Sequence, residues 1–183
     1  MDLRPKFNEL ERLLLEQRNL IGLHSGVPFI LLVYPPDQEK ACTQAQANLA
    51  DKIRTRSVPV LDCELSTFIF DHYKQQGYLD RVFELDQDPE QSDSLRRMIA
   101  GVYEKNLPEW VMALAKKAEP DGVIFMTGVA SLHPFARISN LLSDLENKIT
   151  VPLVVFYPGR HMDGKLYFLN SDEPHVGYRA RII

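Results

Sequence analysis

Three short apolar runs constrain this chain more than any other feature: Pro28 to Tyr34 (PFILLVY), Gly122 to Met126 (GVIFM) and Val151 to Tyr157 (VPLVVFY). A strand with one wet face alternates apolar and polar residues, because successive side chains point to opposite sides. These runs do not alternate, so each strand must be covered on both faces. The segments between them carry apolar residues at helical spacing. The expected fold is therefore α/β, a mostly parallel sheet with helices on both faces.

Leu3, Phe7, Leu10, Leu14 and Ile21 recur near the helical period and predict an N-terminal amphipathic helix within residues 1–22. Asp2 is placed to cap it, and Pro5 is tolerated in its first turn. After Pro35 and Pro36, Asp37 can cap a helix whose inner face is Ala41, Ala45, Leu49 and Ile53. Val58 to Cys63 is a further strand candidate, weakened by Pro59, and the next helix carries Leu65, Phe68, Ile69 and His72 up to Gly77. Tyr78 to Pro89 reads as a short acidic helix and turn, and Gln87 to Ser94 as a flexible loop. Ser92 and Asp93 open a longer helix that Pro108 should kink or split. Pro134 should start a helix with Phe135, Ile138, Leu141, Leu142 and Leu145 facing inward. Lys165 to Asn170 and Tyr178 to Ile183 are expected to form a C-terminal hairpin on the sheet edge. No internal repeat divides residues 1–183, which read as a single unit.

The formal net charge of -4 argues against a phosphate-gripping surface, since duplex binding normally needs an excess of Lys and Arg. Cys42 and Cys63 stand without a CxxC pair or a nearby His at ligand spacing, so they read as buried small hydrophobes and no metal is expected. Asp2, Glu9 and Glu11 interrupt the N-terminal apolar pattern as no signal peptide would allow, and no run approaches a membrane span. A cytoplasmic protein is expected.

In an open parallel sheet, ligands bind beyond the carboxyl ends of the strands. Those ends here are Tyr34-Pro-Pro-Asp37, Asp62-Cys-Glu64, Thr127 to Arg137 (TGVASLHPFAR) and Tyr157-Pro-Gly-Arg160. The outline is Rossmann-like or P-loop-like, yet neither nucleotide signature is present. A P-loop needs GxxxxGK followed by a hydroxyl residue, and the one Gly-Lys pair, Gly164-Lys165, precedes Leu166. A dinucleotide site needs GxGxxG after the first strand, where this chain has two prolines. Gly128-Val-Ala-Ser131 is not a hydrolase elbow, and HExxH is absent. No catalytic residue and no cofactor is assigned.

The best small-ligand candidate is an anion at the turn of Thr127 and Gly128, with Arg137 or Arg160 as counter-charge and His133 as a candidate base. Tyr157 and Gly159 complete that rim. The competing reading makes Thr127 and Gly128 turn residues and lets Arg137 pair with a carboxylate such as Asp62 to tie loops together. Arg179 and Arg181, with Arg54 and Arg56, are a weaker candidate surface for nucleic acid. Charged residues on an edge strand more often guard against edge-to-edge pairing.

The order FMTGVASLHPFAR, a Leu-Leu helix, VPLVVFYPGR and a closing Tyr178-Arg179-Ala180 resembles the BrxB family of the bacterial BREX phage-exclusion systems. That family has a strand ending Leu-Thr-Gly-Val, a Pro-Phe or Pro-Tyr pair with an Arg soon after, a Phe-Tyr-Pro-Gly strand end and a final Tyr-Arg-Ala. The resemblance is dense from Gly122 to Ile183 and thinner before it. Arg137 here leads into Ile-Ser-Asn-Leu-Leu-Ser-Asp-Leu instead of the family's Ser-His and Leu-Asn-Asn-Leu helix, and Phe168-Leu169 replaces Phe-Gly, which marks a divergent member. The resemblance implies a non-catalytic accessory protein. Its implied partners are the system's alkaline-phosphatase-like protein, its large ATPase and its DNA methyltransferase.

Overall fold

The computed structural model describes residues 2–183. The strands β1 (Phe29–Tyr34), β2 (Val60–Glu64), β3 (Val123–Thr127), β4 (Leu153–Met162) and β7 (Arg181–Ile182) form a parallel sheet in the order β2-β3-β4-β1-β7. Every residue of β1 is buried, and alternate side chains divide between two cores. Phe29, Leu31 and Val33 join Ile124, Met126, Leu153 and Val155 on one face; Ile30, Leu32 and Tyr34 join Phe125, Val154 and Phe156 on the other.

The second face is covered by α1 (Arg4–Leu15) and α2 (Glu39–Thr55), the first by α3 (Leu65–Gln75), α5 (Ser92–Ala118) and α6 (Ile138–Leu145). The short helix α4 (Leu79–Asp86) buries none of its residues fully and packs beside α3 and α5. Both faces of the sheet are thus covered by helices, as the unbroken apolar runs require. Both cysteines are free and buried, and burial, aided by the Glu39 charge, pushes the Cys42 thiol up to about 12. Among the described residues no helix is long and apolar enough to cross a membrane.

Several local expectations shift. The opening helix stops at Leu15, and a 3₁₀ turn over Arg18–Leu20 follows, where the Arg18 guanidinium donates to the carbonyls of Asp121 and Gly122 before β3. Asp2 lies one residue ahead of the cap position but still accepts from the Arg4 amide at 3.0 Å. Asp37 sits inside a 3₁₀ turn over Pro36–Gln38 and makes no cap bond. Residues 87–94, expected as loop, hold a 3₁₀ turn over Pro89–Gln91, with Asp88 accepting from the Glu90 amide, and the first turn of α5. Pro108 does not break α5, which continues for 27 residues with Pro108 buried. The amide donor it removes frees the carbonyl of Glu104, an exposed residue, while Tyr103, Leu107, Val111 and Ala115 hold the helix to the sheet on either side. Pro134 does not begin a helix: Val129–Leu132 forms a 3₁₀ turn, and α6 starts at Ile138.

The C-terminal hairpin is present with other partners than expected. The end of β4 leaves the sheet and pairs antiparallel with β5 (Lys165–Phe168), Gly159 opposite Phe168, and β6 (Pro174–His175) adds to β5. The last strand crosses to the opposite edge and lies parallel to β1 as β7, with the Ile183 amide donating to Leu31 and the Val33 amide donating to Ile183.

Candidate functional site

The segments leaving the central strands build the carboxyl rim. At β1 the chain turns through Pro35 and Pro36, and the Tyr34 hydroxyl donates to Glu39 at 2.5 Å. No loop of free amides is formed there.

At β2 and β3 the parallel register sets Glu64 opposite Thr127. Glu64 caps α3, accepting from the Ser66 amide at 3.1 Å and the Ser66 hydroxyl at 2.7 Å, and accepts from Thr127 Oγ1 at 2.8 Å. Burial alone would raise the Glu64 carboxyl, but the bonds from Ser66 and Thr127 outweigh it and hold the group below its ordinary value. Gly128 adopts φ +67°, and a Cβ there would lie 2.0 Å from Glu64 Oε1. The protein's own carboxylate therefore fills the concavity beside Thr127 and Gly128.

Further along the rim, the segment after β3 and the loop between β5 and β6 face each other across a cleft of about 590 Å3. His133 and Arg137 line one wall; Asn170, Ser171, Glu173 and His175 line the other. Arg137 is exposed, and among the described residues its guanidinium has no ion-pair or hydrogen-bond partner. Burial lowers His175, and the charges of Arg137 and, less strongly, His133 lower it further, against the opposing pull of Glu173. Two imidazoles and a free guanidinium thus share one cleft whose floor includes Leu132 and Phe168.

The other rim residues support this wall from below or from outside. Tyr157 is fully buried, edge-on to Phe168 at 5.4 Å and to Tyr178 at 5.9 Å, and burial raises its hydroxyl well above the usual range. Gly159 lets the hairpin close, because a Cβ there would lie 2.1 Å from the Tyr167 carbonyl oxygen. Arg160 turns away from the cleft. It donates to the Ser171 carbonyl at 3.0 Å, pairs with Asp172 at 2.9 Å and lies over the Tyr167 ring at 5.2 Å, so it holds the loop that carries Ser171.

The weaker candidates lie elsewhere and, apart from the exposed Arg56, which has no ion-pair partner among the described residues, are paired within the chain. Asp62 meets Arg54 at 3.1 Å, not Arg137. Arg179 pairs with Glu146 at 2.6 Å and donates to the Ser25 carbonyl, while Arg181 pairs with Glu9 on α1 at 2.9 Å. Sequence reasoning put His133 and Arg137 in one place but missed His175, Ser171 and Asn170, which reach the cleft only because the hairpin folds back over the rim. The signal was the Tyr157-Pro-Gly-Arg160 strand end, where β4 runs on past the sheet.

A family profile described as BREX protein BrxB matches residues 61–183, a span that contains Glu64, the Thr127–Gly128 turn and the whole cleft. A protein of Bacillus cereus (strain H3081.97) described as BREX protein BrxB is 21% identical over 164 residues, covering 87% of this chain and 84% of the relative. No solved structure matches the chain. With more than half of its length matched, and with the rim and hairpin inside the matched span, the chain belongs to the BrxB family.

Proposed function

We propose that this protein is a non-catalytic accessory component of a BREX anti-phage defence system that works by binding other proteins of that system. The implied partners are its alkaline-phosphatase-like protein, its large ATPase and its DNA methyltransferase. Family membership supports the setting, and one observation supports the adaptor role. Glu64 occupies the Thr127–Gly128 turn, and prolines follow β1, so neither position offers the free amides a nucleotide phosphate needs. Pairing of Arg54, Arg179 and Arg181 within the chain supports a surface that meets protein in preference to nucleic acid. Co-purification from the native operon tests the reading: recovery with at least one other BREX protein is expected, and recovery alone at low salt overturns it.

The unpartnered Arg137 favours a second reading, a small anion held in the cleft between Arg137, His133 and His175. Thr127, Gly128, Tyr157, Gly159 and Arg160 then act as its scaffold. A thermal-shift series with inorganic phosphate and nucleotides decides it, because a ligand at 100 times its dissociation constant adds about 2.7 kcal/mol of stability. A shift that disappears in Arg137→Ala is the expected result, and no shift with any of these anions removes the reading.

A further inference from the structure

On the face opposite α1 and α2, three helices leave an apolar groove of about 270 Å3 that the adaptor reading has not used. Ile69, Phe70 and Tyr73 come from α3, Leu79, Val82, Phe83 and Asp86 from α4, and Leu95, Ile99 and Tyr103 from α5. The three- and four-residue spacings mean each helix turns one stripe toward the same space. That space is not closed: Phe70 and Phe83 are 49% and 46% exposed. Tyr78, in the turn between α3 and α4, and Met98, beside Ile99 on α5, are exposed as well. Four of the seven large exposed apolar side chains of the described residues thus fall between Leu65 and Ala118. Tyr73 lines the groove and is 5% exposed, yet no protein group meets its hydroxyl, the one buried side-chain polar atom of the described residues so placed.

Charge distinguishes the possible occupants. From Leu79 to Asp93 six acidic residues stand against Arg81, five net negative charges in a chain whose total is -4. Arg81 is itself paired with Glu84 at 2.8 Å, and Asp86 lines the groove. Of the six, Asp80, Glu84 and Asp86 lie on α4, Asp88 and Glu90 in the turn after it, and Asp93 in the first turn of α5 just ahead of Arg96 and Arg97, so the negative charge gathers on α4 and the turn that leaves it. A two-fold pairing of this chain through the groove would set that charge near its own copy. The apolar faces of α1, α2 and α6 are already packed on the sheet, which leaves no basic amphipathic helix of a second copy to dock. An anionic lipid surface or a nucleic acid would be repelled.

We propose that the groove between α3, α4 and α5 receives a basic amphipathic helix of a partner protein. Its apolar face seats against Ile69, Phe70, Val82 and Phe83, and its Lys or Arg side chains meet the acidic residues of α4 and the turn after it. This rests on the adaptor reading and specifies the chemistry of the contact.

The test uses the full purified chain and two synthetic helical peptides of about four turns with the same Leu/Phe face, one flanked by Lys and Arg and the other by Glu. The basic peptide is expected to bind, more weakly at high salt, and its acidic twin to bind at least about tenfold more weakly. Phe70→Ser and Phe83→Ser, at half-exposed positions, are each expected to weaken the basic peptide by about tenfold while lowering the melting midpoint by no more than about 5 °C, so that the chain stays folded in the assay, and Asp86→Asn by about threefold. Binding by neither peptide, equal binding of both, or binding indifferent to Phe70→Ser and Phe83→Ser overturns the proposal. So does self-association of the chain that Phe83→Ser abolishes, which would assign the groove to a second copy. Co-purification keeps the two readings apart. Retention of operon partners by Phe83→Ser removes the groove and leaves the adaptor standing, whereas a wild-type chain that retrieves none removes the adaptor reading whatever the peptides do.

Discussion

A methyl group at Gly128 would lie 2.0 Å from Glu64 Oε1, on a backbone with φ of +67° that L side chains adopt only with strain. Gly128→Ala should therefore destabilise the fold by about 2–3 kcal/mol, of which about 1 kcal/mol is backbone strain. The remainder is a clash with Glu64 and with the Ser66 backbone nitrogen, which a Cβ would approach to 2.9 Å, so in a Glu64→Ala background the same substitution should cost less but still more than the about 1 kcal/mol of backbone strain, and a urea double-mutant cycle measures the difference. Glu64 also makes stability depend on pH. Its folded carboxyl lies below the ordinary value, so the stabilisation is present above the unfolded value and is lost as pH falls through the folded one. Between about pH 5 and pH 3 the wild type should lose more stability than Glu64→Gln, by a modest margin because the group is partly solvated. Thr127 and Gly128 were legible in the sequence as a turn after a strand, and Glu64 as the end of another. That they touch was not legible, because it depends on β2 and β3 being neighbours in register.

Among the helices and strands, local signals were right about identity and less so about limits. The spacing of Leu95, Tyr103, Leu107, Val111 and Ala115 marks one face of α5 on both sides of Pro108, and that shared face overrides the proline. Pro108→Ala should then stabilise the protein by about 1 kcal/mol, a helix gain of about 3 kcal/mol less about 1.6 kcal/mol for two buried methylenes. Chemical denaturation reads the sign, and a loss of stability would mean the ring is needed for packing. Pro134 shows the reverse case. It has the composition of a helix start, but Leu132 is buried in the sheet-facing core, and the chain spends five more residues crossing the rim before Ile138 enters that core. Those residues become the His133 and Arg137 wall of the cleft.

Across the molecule, β7 caps the β1 edge and returns Ile183 to the core beneath α1. Removing residues 181–183 should expose the backbone donors and acceptors of an entirely apolar strand, which is a template for pairing with another chain. Light scattering should show self-association in the truncated protein and none in the full chain, and a monodisperse truncated protein would mean that Arg181 and Ile182 cover an edge already protected by other groups. A parallel sheet covered on both faces and the lack of a phosphate-binding loop could be read from the residues alone, because each is written locally, in unbroken apolar runs and in missing glycines. The folded chain was needed to learn that Glu64 fills the Thr127 turn, that His175 faces Arg137 and that α4 leaves a groove open. A local pattern says which face of an element must be covered, but the element that covers it comes from strand order and from where the chain folds back.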